Sequence, residues 1–278
     1  MSHPLTLGYS PCPNDTFIFA ALVHNLVPCG GLRFKERLED VETLNRLALN
    51  TTLDLTKISY HAFGHVREHY TLLRSGSALG RGCGPLVVAP SARSLAELRN
   101  QTVLIPGEMT TASLLLQLCD SGLTALRSVP FDQIMPALQR GEAAAGVIIH
   151  ESRFTFADYG LHQVIDLGQW WEESTGLPIP LGGILACRDL DPELVARVEQ
   201  GIQASLEFAR AHPQQVGAYI RAHAQELSEE VSAKHIDLYV NDFSLDLGPE
   251  GEHAVRYLLQ QAEKRGIIPP CDKPLFAL

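Results

Sequence analysis

The sequence contains no long uninterrupted run of apolar residues, and this absence excludes the simplest kind of membrane protein. A membrane-spanning helix needs about 20 consecutive apolar residues, and no apolar run in these 278 residues reaches that length. The amino terminus also lacks a charged segment followed by an apolar one, since Met1-Ser2-His3-Pro4 leads almost directly into a predicted strand. We therefore expect a cytoplasmic protein with no membrane partner.

The sequence lacks closely spaced cysteine pairs and an excess of basic residues. The six cysteines include no C-x-x-C pair, so the sequence indicates neither a disulfide framework nor a zinc site. They are Cys12, Cys29, Cys83, Cys119, Cys187 and Cys271. Lysine and arginine number 22 against 32 aspartates and glutamates, which gives a formal net charge of -10. Because phosphate backbones bind to positive surfaces, nucleic acid is not expected as a partner.

Common nucleotide-binding and hydrolase motifs are also missing. Neither a G-x-S-x-G elbow nor a P-loop occurs. The glycine-rich stretch at residues 76–85 lacks the G-x-G-x-x-G spacing, and it leads into the strand Leu86-Val87-Val88-Ala89 rather than into a helix. We interpret this stretch as a flexible surface loop, although its glycines would also suit a hinge or a close approach to a ligand.

Strand and helix patterns alternate along the first ninety residues and again between residues 102 and 175. A strand over residues 5–10, for example, is followed by a rigid turn in which Asn14 or Asp15 is expected to cap a helix. Such βαβ alternation predicts a mostly parallel sheet with helices on its faces. Beyond Arg188 the pattern is nearly all helical, with helix starts predicted at Asp191-Pro192, Pro213, Ser228 and Pro249.

The length and two shifts in composition predict two lobes. A chain of 278 residues, 45% of them hydrophobic, suits about two domains. Proline and glycine concentrate near residues 82–92 and 177–188, as expected where a chain crosses to a second lobe and returns. We predict a discontinuous first lobe of residues 1–88 and 186–278, and a second lobe of residues 89–185.

A histidine follows a strand that is predicted to be fully buried. Ala145-Gly146-Val147-Ile148-Ile149 is a short continuous apolar run, and the polarity changes abruptly at His150. In open α/β sheets the carboxyl ends of the strands face the crevice where ligands bind. An imidazole at that place can take up and return a proton near neutral pH. The alternative is a histidine that merely closes the strand and hydrogen-bonds to backbone.

Two threonines stand where a helix is expected to begin. The strand Thr102-Val103-Leu104-Ile105 is followed by a glycine-containing turn, by the pair Thr110-Thr111, and by a predicted helix over residues 112–120. The amide donors at a helix start, together with two hydroxyls, form a ready pocket for an anion. The alternative is an ordinary threonine N-cap, which needs only one of the two hydroxyls.

Three histidines occur at helical spacing, namely His61, His65 and His69, and would share one face of a helix. No cysteine or carboxylate motif accompanies them, so exposed helical histidines are favoured over a metal site. The pair Trp170-Trp171 is likewise interpreted as packing at a helix start. No metal site is expected.

Several long motifs closely resemble those of the 1,4-dihydroxy-6-naphthoate synthases. The resemblance extends through Gly176-Leu177-Pro178 and His223-Ala224-Gln225-Glu226-Leu227-Ser228, so it covers essentially the whole chain. Motifs of this length are very specific. They are Ser10-Pro11-Cys12-Pro13-Asn14-Asp15-Thr16-Phe17-Ile18-Phe19, Leu38-Glu39-Asp40-Val41-Glu42-Thr43-Leu44-Asn45, Thr56-Lys57-Ile58-Ser59-Tyr60, Leu73-Arg74-Ser75-Gly76 with Gly80-Arg81-Gly82, and Ile149-His150-Glu151-Ser152-Arg153-Phe154.

This resemblance implies an α/β fold like that of the type II periplasmic binding proteins, with two lobes around a central cleft. It also implies a lyase of the futalosine route to menaquinone, which cleaves cyclic dehypoxanthine futalosine to 1,4-dihydroxy-6-naphthoate and dihydroxyacetone. By the same resemblance His150 is expected to be the general base. The residues expected to contact the substrate are Lys57, Ile58, Ser59, Thr110, Thr111 and, within the first motif, Asn14.

The chemistry of these residues fits such a substrate. A carboxylate and several hydroxyls suit the Thr110-Thr111 amides and Ser59, while Lys57 or Arg153 is able to supply positive charge. His150 would remove a proton from a substrate hydroxyl and a carbon–carbon bond would break in a retro-aldol sense, with no cofactor. Its neighbour Glu151 is expected on the opposite face of the strand.

Two other functions remain open at this point. One is a solute receptor of the same fold whose cleft only binds a ligand, and the other is an enzyme such as a chorismate dehydratase. A small-molecule partner is common to all three, and the sequence leaves the oligomeric state open.

Overall fold

The strands of the protein form two separate sheets in a computed structural model that describes residues 3–224 and 228–277. The first sheet has six strands and the second has five among these residues. The expected α/β fold with two lobes is therefore confirmed. Residues 225–227, which belong to one of the motifs quoted above, lie outside the described residues.

The first sheet is parallel on one side and antiparallel on the other. Its strands are β1 (Leu5–Tyr9), β2 (Phe34–Leu38), β3 (Leu55–Ser59), β4 (Tyr70–Leu72), β5 (Ala78–Gly80) and β11 (Ile179–Cys187). They lie in the order β2-β1-β3-β11-β4, and β5 also pairs with β11. β1 is parallel to β2 and β3, whereas β11 is antiparallel to β3, β4 and β5. The carboxyl ends of β1 and β3 consequently lie at the same edge.

The second sheet is also mixed. Its strands are β6 (Leu86–Ala89), β7 (Val103–Ile105), β8 (Leu126–Ser128), β9 (Ala145–Ile148) and β10 (His162–Asp166), and they lie in the order β10-β6-β9-β7-β8. β7 is parallel to β8 and β9, and β6 is antiparallel to β9 and β10. All four residues of β9 are buried, as its continuous apolar sequence predicts.

Helices cover the faces of both sheets, and most of the chain beyond residue 190 is helical. None of the helices in the described part of the chain is both long and apolar enough to cross a membrane. The α-helices are α1 (Pro13–Val23), α2 (Val41–Leu49), α3 (Tyr60–Val66), α4 (Thr111–Cys119), α5 (Phe131–Gln139), α6 (Ser152–Thr155), α7 (Leu167–Thr175), α8 (Pro192–Ala211), α9 (Pro213–His223), α10 (Glu229–Tyr239), α11 (Asp242–Leu245) and α12 (Gly248–Lys264). Two short 3₁₀ helices lie at Leu95–Leu98 and Phe156–Tyr159.

Some helix starts follow the capping signals of the sequence, whereas the start of α1 does not. Asp191 and Ser228 accept amide hydrogen bonds at the starts of α8 and α10, as expected. α1 differs, because its N-cap is Cys12 and its first residue is a proline, whose fixed φ suits that position. Asn14 and Asp15 therefore lie inside the first turn instead of capping the helix, and both line the cavity described below.

The glycine-rich stretch is not the flexible surface loop predicted from the sequence. Residues 76–80 are buried, and part of this segment forms β5 against β11. Gly76 has a φ of +78°, and a Cβ built on it would lie 2.1 Å from the Cδ1 atom of Ile184. Glycine at this position permits both the left-handed backbone and the close packing. The rest of the stretch carries the chain toward the second sheet.

The two crossings between the sheets lie a few residues away from the predicted lobe boundaries. Residues 86–88 were assigned to the first lobe, but β6 pairs with β9 and β10 of the second sheet. Residues 179–185 were assigned to the second lobe, but they belong to β11 in the first sheet. The proline and glycine pattern marks the segments where the chain crosses between the sheets. It does not show which sheet each flanking strand joins, because that depends on the strands to which it is hydrogen-bonded.

The apolar core fixes how the lobes sit together. One cluster packs α1 between the first sheet and α8, and it includes the fully buried side chains of Ile18, Phe19, Ile202 and Leu206. Each such side chain contributes roughly 1.5–3 kcal/mol on burial. A second, larger cluster runs without interruption from the first sheet into the helices and strands of the second. The lobes therefore share part of one hydrophobic core.

We predict that Gly84→Ala destabilises the protein, because the crossing into the second lobe requires backbone contact at this residue. A Cβ on Gly84 would lie 2.3 Å from the Cα atom of Gly168, so the main chain itself must move. We expect a loss of about 1–3 kcal/mol in the free energy of unfolding, measured by chemical denaturation. The control is Gly217→Ala in α9, where the Cβ meets only the end of the Arg221 side chain, at 3.3 Å. Equal stability of the Gly84 variant and the parent would contradict this account.

Candidate active site

A cavity lies between the two sheets and receives residues from both. About 720 Å³ of space lies between its walls, and this volume includes part that is open to solvent. The first lobe contributes the start of α1, the end of β3 and part of β11, and α10 closes one side. The second lobe contributes the start of α4 and the segment after β9. The cavity thus lies where the carboxyl ends of β1, β3 and β9 converge.

His150 lines this cavity two residues beyond the end of β9. Its φ of +57° is uncommon for a residue with a side chain, and such backbone conformations concentrate at functional sites. The imidazole is half-buried, and its centroid lies 5.0 Å from the Phe131 ring, which it meets edge-on. His150 therefore does more than close the strand, since its ring contributes to the cavity wall.

The ring of His150 has a thiol as its neighbour. Its Nδ1 atom lies 3.6 Å from Sγ of Cys12, the N-cap residue of α1. When Nδ1 carries the hydrogen and points it at the sulfur, Nε2 keeps a lone pair, which is the form that accepts a proton. The buried thiol itself stays protonated, because burial, and then the charge of Glu151, raise the pKa of Cys12 well above its usual value. Cys12 thus connects α1 of the first lobe to His150 of the second.

The segment Lys57-Ile58-Ser59 ends β3 at the floor of the cavity. The Lys57 ammonium forms an ion pair with the carboxylate of Asp15, and both side chains are buried. Ser59 Oγ accepts a hydrogen bond of 3.2 Å from the Asn45 amide, while its backbone N–H donates one of 3.0 Å to the same side chain. All three residues line the cavity, although the positive charge of Lys57 is already paired.

Asn14 belongs to a chain of polar contacts beneath the cavity. Its amide nitrogen donates to Asp15 at 2.8 Å, and its oxygen lies 2.9 Å from Nε2 of His235 in α10. Because the Asn14 oxygen accepts, Nε2 of His235 carries the hydrogen and Nδ1 has the lone pair. Ser10 completes the chain by donating its hydroxyl to Asp15 at 2.7 Å. Asn14 is therefore a predicted contact that lies at the cavity, with its own polar atoms engaged by protein.

The threonine pair lies at the start of α4, and both residues line the cavity. Thr110 is the N-cap, since its hydroxyl oxygen accepts from the Ser113 amide at 3.2 Å and its hydrogen goes to the Gly107 carbonyl at 2.8 Å. The hydroxyl of Thr111 donates to the Leu181 carbonyl at 2.6 Å. Both hydroxyl hydrogens are thus used within the protein. Apart from the Ser113 amide, the backbone amides of the first turn remain the donors suited to an anion.

Arg153 is the predicted contact that the structure places elsewhere. Its guanidinium donates to the carboxylate of Asp166 at 2.8 Å and to the Gly84 carbonyl at 2.5 Å. It is absent from the lining of the cavity in the described residues. The short helix α6 directs this side chain toward Gly84, where the chain crosses between the lobes. Its charge is therefore paired with Asp166 in the second lobe and does not face the cavity.

Two residues near His150 were not identified from the sequence. Glu151 was expected on the far side of a continuing strand, but β9 ends at Ile148 and the next residues turn. Its side chain is buried, and one carboxylate oxygen lies 3.7 Å from Nδ1 of His235. Burial, with the charges of His150 and Lys57, lowers the pKa of His235 well below its usual value. His235 lies in a plain helical segment 85 residues beyond His150, and no local pattern marks it.

His61 holds the threonine turn against the first lobe. The sequence suggested an exposed helical histidine, but His61 is buried, and its Nδ1 lies 3.2 Å from the Thr110 carbonyl. Its backbone N–H donates to the Thr111 hydroxyl at 3.4 Å. Glu42 in α2 adds a further link, because its carboxylate accepts the Met109 amide at 3.2 Å. The turn that carries the threonines is thus fastened to α2, α3 and β11.

The two sheets and the cleft between them define the class, which is the periplasmic-binding-protein-like α/β fold. The periplasmic aliphatic sulphonate binding protein SsuA from Escherichia coli shares it, with a TM-score of 0.66 over 97% of this chain and 90% of that one, at 13% sequence identity. The crystal structure of protein AF1704 from Archaeoglobus fulgidus is much more similar. Its TM-score is 0.90 at 36% identity, and the match covers 96% of this chain and 99% of that one.

Sequence comparison identifies the family. The model of a menaquinone biosynthesis family matches residues 5–264. A 1,4-dihydroxy-6-naphthoate synthase from Thermus thermophilus is 54% identical over 98% of both chains, and one from Streptomyces coelicolor is 43% identical over 95% of both. The chain therefore belongs to the menaquinone biosynthesis family. The resemblance to 1,4-dihydroxy-6-naphthoate synthases that its motifs indicated is confirmed.

We predict that Lys57→Met lowers the free energy of unfolding by about 3–5 kcal/mol, because it leaves the buried Asp15 carboxylate without its partner. Adding Asp15→Asn to this variant removes the orphaned charge and should restore part of the loss. Chemical denaturation of the single and double variants measures both effects. The control is Lys234→Met, which breaks an exposed pair with Glu230 and should change little. A small effect in the Lys57 variant, or none recovered in the double variant, would contradict a stabilising buried pair.

We predict that His61 contributes to loss of stability in acid. Burial, then His65, lowers its pKa from 6.5 to about 4. Between these two values the unfolded chain binds a proton that the folded chain does not, so the free energy of unfolding falls as the pH falls. His61→Asn keeps a donor for the Thr110 carbonyl and removes the titration, so the slope should decrease by up to about 1.4 kcal/mol per pH unit. Denaturation at several pH values measures it.

The same substitution at exposed His253 is the control for this experiment, because that side chain meets nearly the same solvent in both states. An unchanged slope in the His61→Asn variant would show that His61 does not titrate as its burial indicates.

Proposed function

We propose that the protein is a 1,4-dihydroxy-6-naphthoate synthase that cleaves cyclic dehypoxanthine futalosine to 1,4-dihydroxy-6-naphthoate and dihydroxyacetone. The names of its relatives at 54% and 43% identity support the product. The observation that carries the chemistry is the position of His150, on the cavity wall with Nδ1 turned to a protonated thiol. A cytoplasmic location and a small-molecule partner remain predictions from the sequence.

The proposed reaction begins with His150 acting as a general base. Nε2 removes the proton from a substrate hydroxyl, the oxygen forms a carbonyl, and the adjacent carbon–carbon bond breaks. The bonding electrons pass into the carbonyl-bearing ring, which becomes aromatic after the proton is returned. This retro-aldol cleavage needs neither a redox partner nor an activated group, so no cofactor is required by the proposal. A well-placed base of this kind contributes about 10²–10⁴-fold to the rate.

The cavity also offers groups that suit the rest of the substrate. A carboxylate fits the first-turn amides of α4 beside Thr110 and Thr111, where an anion is stabilised by the helix start. Substrate hydroxyls fit Ser59 and the neighbouring Lys57, whose ammonium retains donors beyond the one given to Asp15. The apolar side chains of Val41, Leu44 and Ile149 line the space between and suit a fused ring. The cavity thus has polar groups at its ends and apolar side chains between them, which suits a substrate with an aromatic ring and a carboxylate.

One experiment separates the proposal from its rivals. Purified protein is incubated with cyclic dehypoxanthine futalosine and, separately, with chorismate, and the products are identified by chromatography with mass detection. Formation of 1,4-dihydroxy-6-naphthoate with an equal amount of dihydroxyacetone supports the proposal. Dehydration of chorismate would favour the other enzyme, and binding without turnover of either compound would favour a solute receptor.

We predict that His150→Asn lowers kcat by about 10²–10⁴-fold while leaving the unfolding temperature nearly unchanged. Asparagine is chosen because it tolerates the left-handed backbone at this position, whereas alanine would add strain. Steady-state kinetics and thermal unfolding are measured together, with His253→Asn as the control. Turnover close to that of the parent in a folded His150 variant would exclude this residue as the essential base.

A further inference from the structure

Three potential metal ligands of different chemistry meet behind the cavity wall. Cys12, His150 and Glu151 each offer one ligand atom, and these atoms all lie within 4.8 Å of one another. Cys12 comes from the first lobe, whereas the other two follow β9 in the second. Thiolate, imidazole and carboxylate are the ligand types that Zn²⁺ takes in proteins. The sequence did not suggest this group, because Cys12 lies 138 residues before His150.

The distances suit a tetrahedral ion. Zinc bonds to sulfur at about 2.3 Å and to imidazole nitrogen at about 2.0–2.1 Å, so the two ligand atoms of a tetrahedral site lie about 3.6 Å apart. Sγ of Cys12 and Nδ1 of His150 are separated by 3.6 Å. The same separation is an ordinary hydrogen-bond distance to sulfur, and it also equals the spacing of two such ligands on one tetrahedral ion.

Two neighbouring polar atoms are buried and unsatisfied. Neither Oε2 of Glu151 nor Nδ1 of His235 has a hydrogen-bond partner among the described residues. The two residues are 5% and 1% exposed, and the two atoms lie 3.7 Å apart. Because Asn14 accepts the hydrogen on Nε2, the lone pair of His235 is on Nδ1. A histidine that donates its other ring hydrogen to a fixed oxygen has the usual arrangement of a metal ligand.

We propose that Cys12, His150 and Glu151 bind a thiophilic divalent cation of the Zn²⁺ class, with Nδ1 of His235 next to the Glu151 carboxylate, and that the bound ion inhibits the enzyme. Charge favours this occupant, because a dication with one thiolate and one carboxylate forms a neutral complex that can remain buried. Binding of the ion releases the thiol proton to solvent and forms a metal–sulfur bond. Harder cations such as Mg²⁺ prefer oxygen ligands and are not expected to compete.

Inhibition follows from the chemistry of the imidazole. An ion on Nδ1 of His150 forces the ring hydrogen onto Nε2, so the nitrogen that should accept the substrate proton no longer has a lone pair. The general base is thereby disabled without any change in the cavity walls. This consequence rests on the proposed function, whereas binding of the ion does not.

The test uses Co²⁺, which replaces Zn²⁺ at such sites and absorbs light. A background variant carries serine at the four partly exposed cysteines, Cys29, Cys119, Cys187 and Cys271, so that surface thiols do not bind the probe. We expect one equivalent of Co²⁺ to produce a thiolate charge-transfer band in the near ultraviolet together with the visible bands of a tetrahedral ion. Zn²⁺ should remove both signals, and excess Mg²⁺ should not.

Cys12→Ser in the same background should abolish the charge-transfer band and weaken Co²⁺ binding by ~10–100-fold or more. Glu151→Gln is the second variant, and it should keep the band while weakening binding, so the result does not depend on the folding of one protein. A band that survives Cys12→Ser, or the absence of saturable binding in the background variant, would overturn the site.

Activity distinguishes this proposal from the proposed function. Zn²⁺ should inhibit turnover of cyclic dehypoxanthine futalosine, and a chelator should restore it. Full activity with Zn²⁺ bound, as judged by displacement of the Co²⁺ bands, would overturn the inhibitory role. A protein that shows the bands with Co²⁺ but, when metal-free, does not turn over cyclic dehypoxanthine futalosine would contradict the proposed function alone, since the spectrum reports the site without substrate.

Discussion

The buried ion pair between Lys57 and Asp15 is the interaction on which the arrangement of the cavity depends. Two charges removed from water are tolerated only when they meet each other and their remaining hydrogen-bonding capacity is used. Asp15 therefore gathers the hydroxyl of Ser10 and the amide of Asn14 as well as the ammonium. Asn14 in turn fixes the orientation of His235. One ion pair thus connects β3, α1 and α10 beneath the ligand site.

Sequence and structure agree best where local chemistry decides the outcome. The continuous apolar run predicted a buried strand before His150, and the proline and serine signals marked most of the later helices. The glycine-rich segment was misinterpreted, because a glycine needed for close packing looks the same in sequence as one that allows flexibility. His61 was also placed on the surface, although α4 covers it. Both errors concern partners that are distant in sequence, and periodicity carries no information about such partners.

The same limit applies to the candidate site. The motifs located His150, the end of β3 and the threonine pair, and the cavity brings all of them together. Arg153 was predicted to contact the substrate because it lies close to His150 in the sequence. Its side chain instead turns with α6 toward Asp166. His235 lies outside all of the motifs in the sequence. It reaches the cavity only because α10 packs across the first lobe, so no local pattern predicts its position. When a side chain contributes through tertiary contacts alone, the residues that flank it in the sequence do not predict its role.

The hydrogen bonds that join the Thr110-Thr111 turn to the first lobe affect how the cleft can open to take up or release a ligand. In a freely hinged receptor, the two halves swing apart and the site is exposed along its full length. Here the wall contributed by α4 is bonded to His61, Glu42 and the carbonyl of Leu181, all from the opposite half. Swinging this wall outward would break each of these bonds. Opening the cleft at this wall therefore costs these hydrogen bonds, so they stabilise the arrangement in which the two halves stay together around the ligand site.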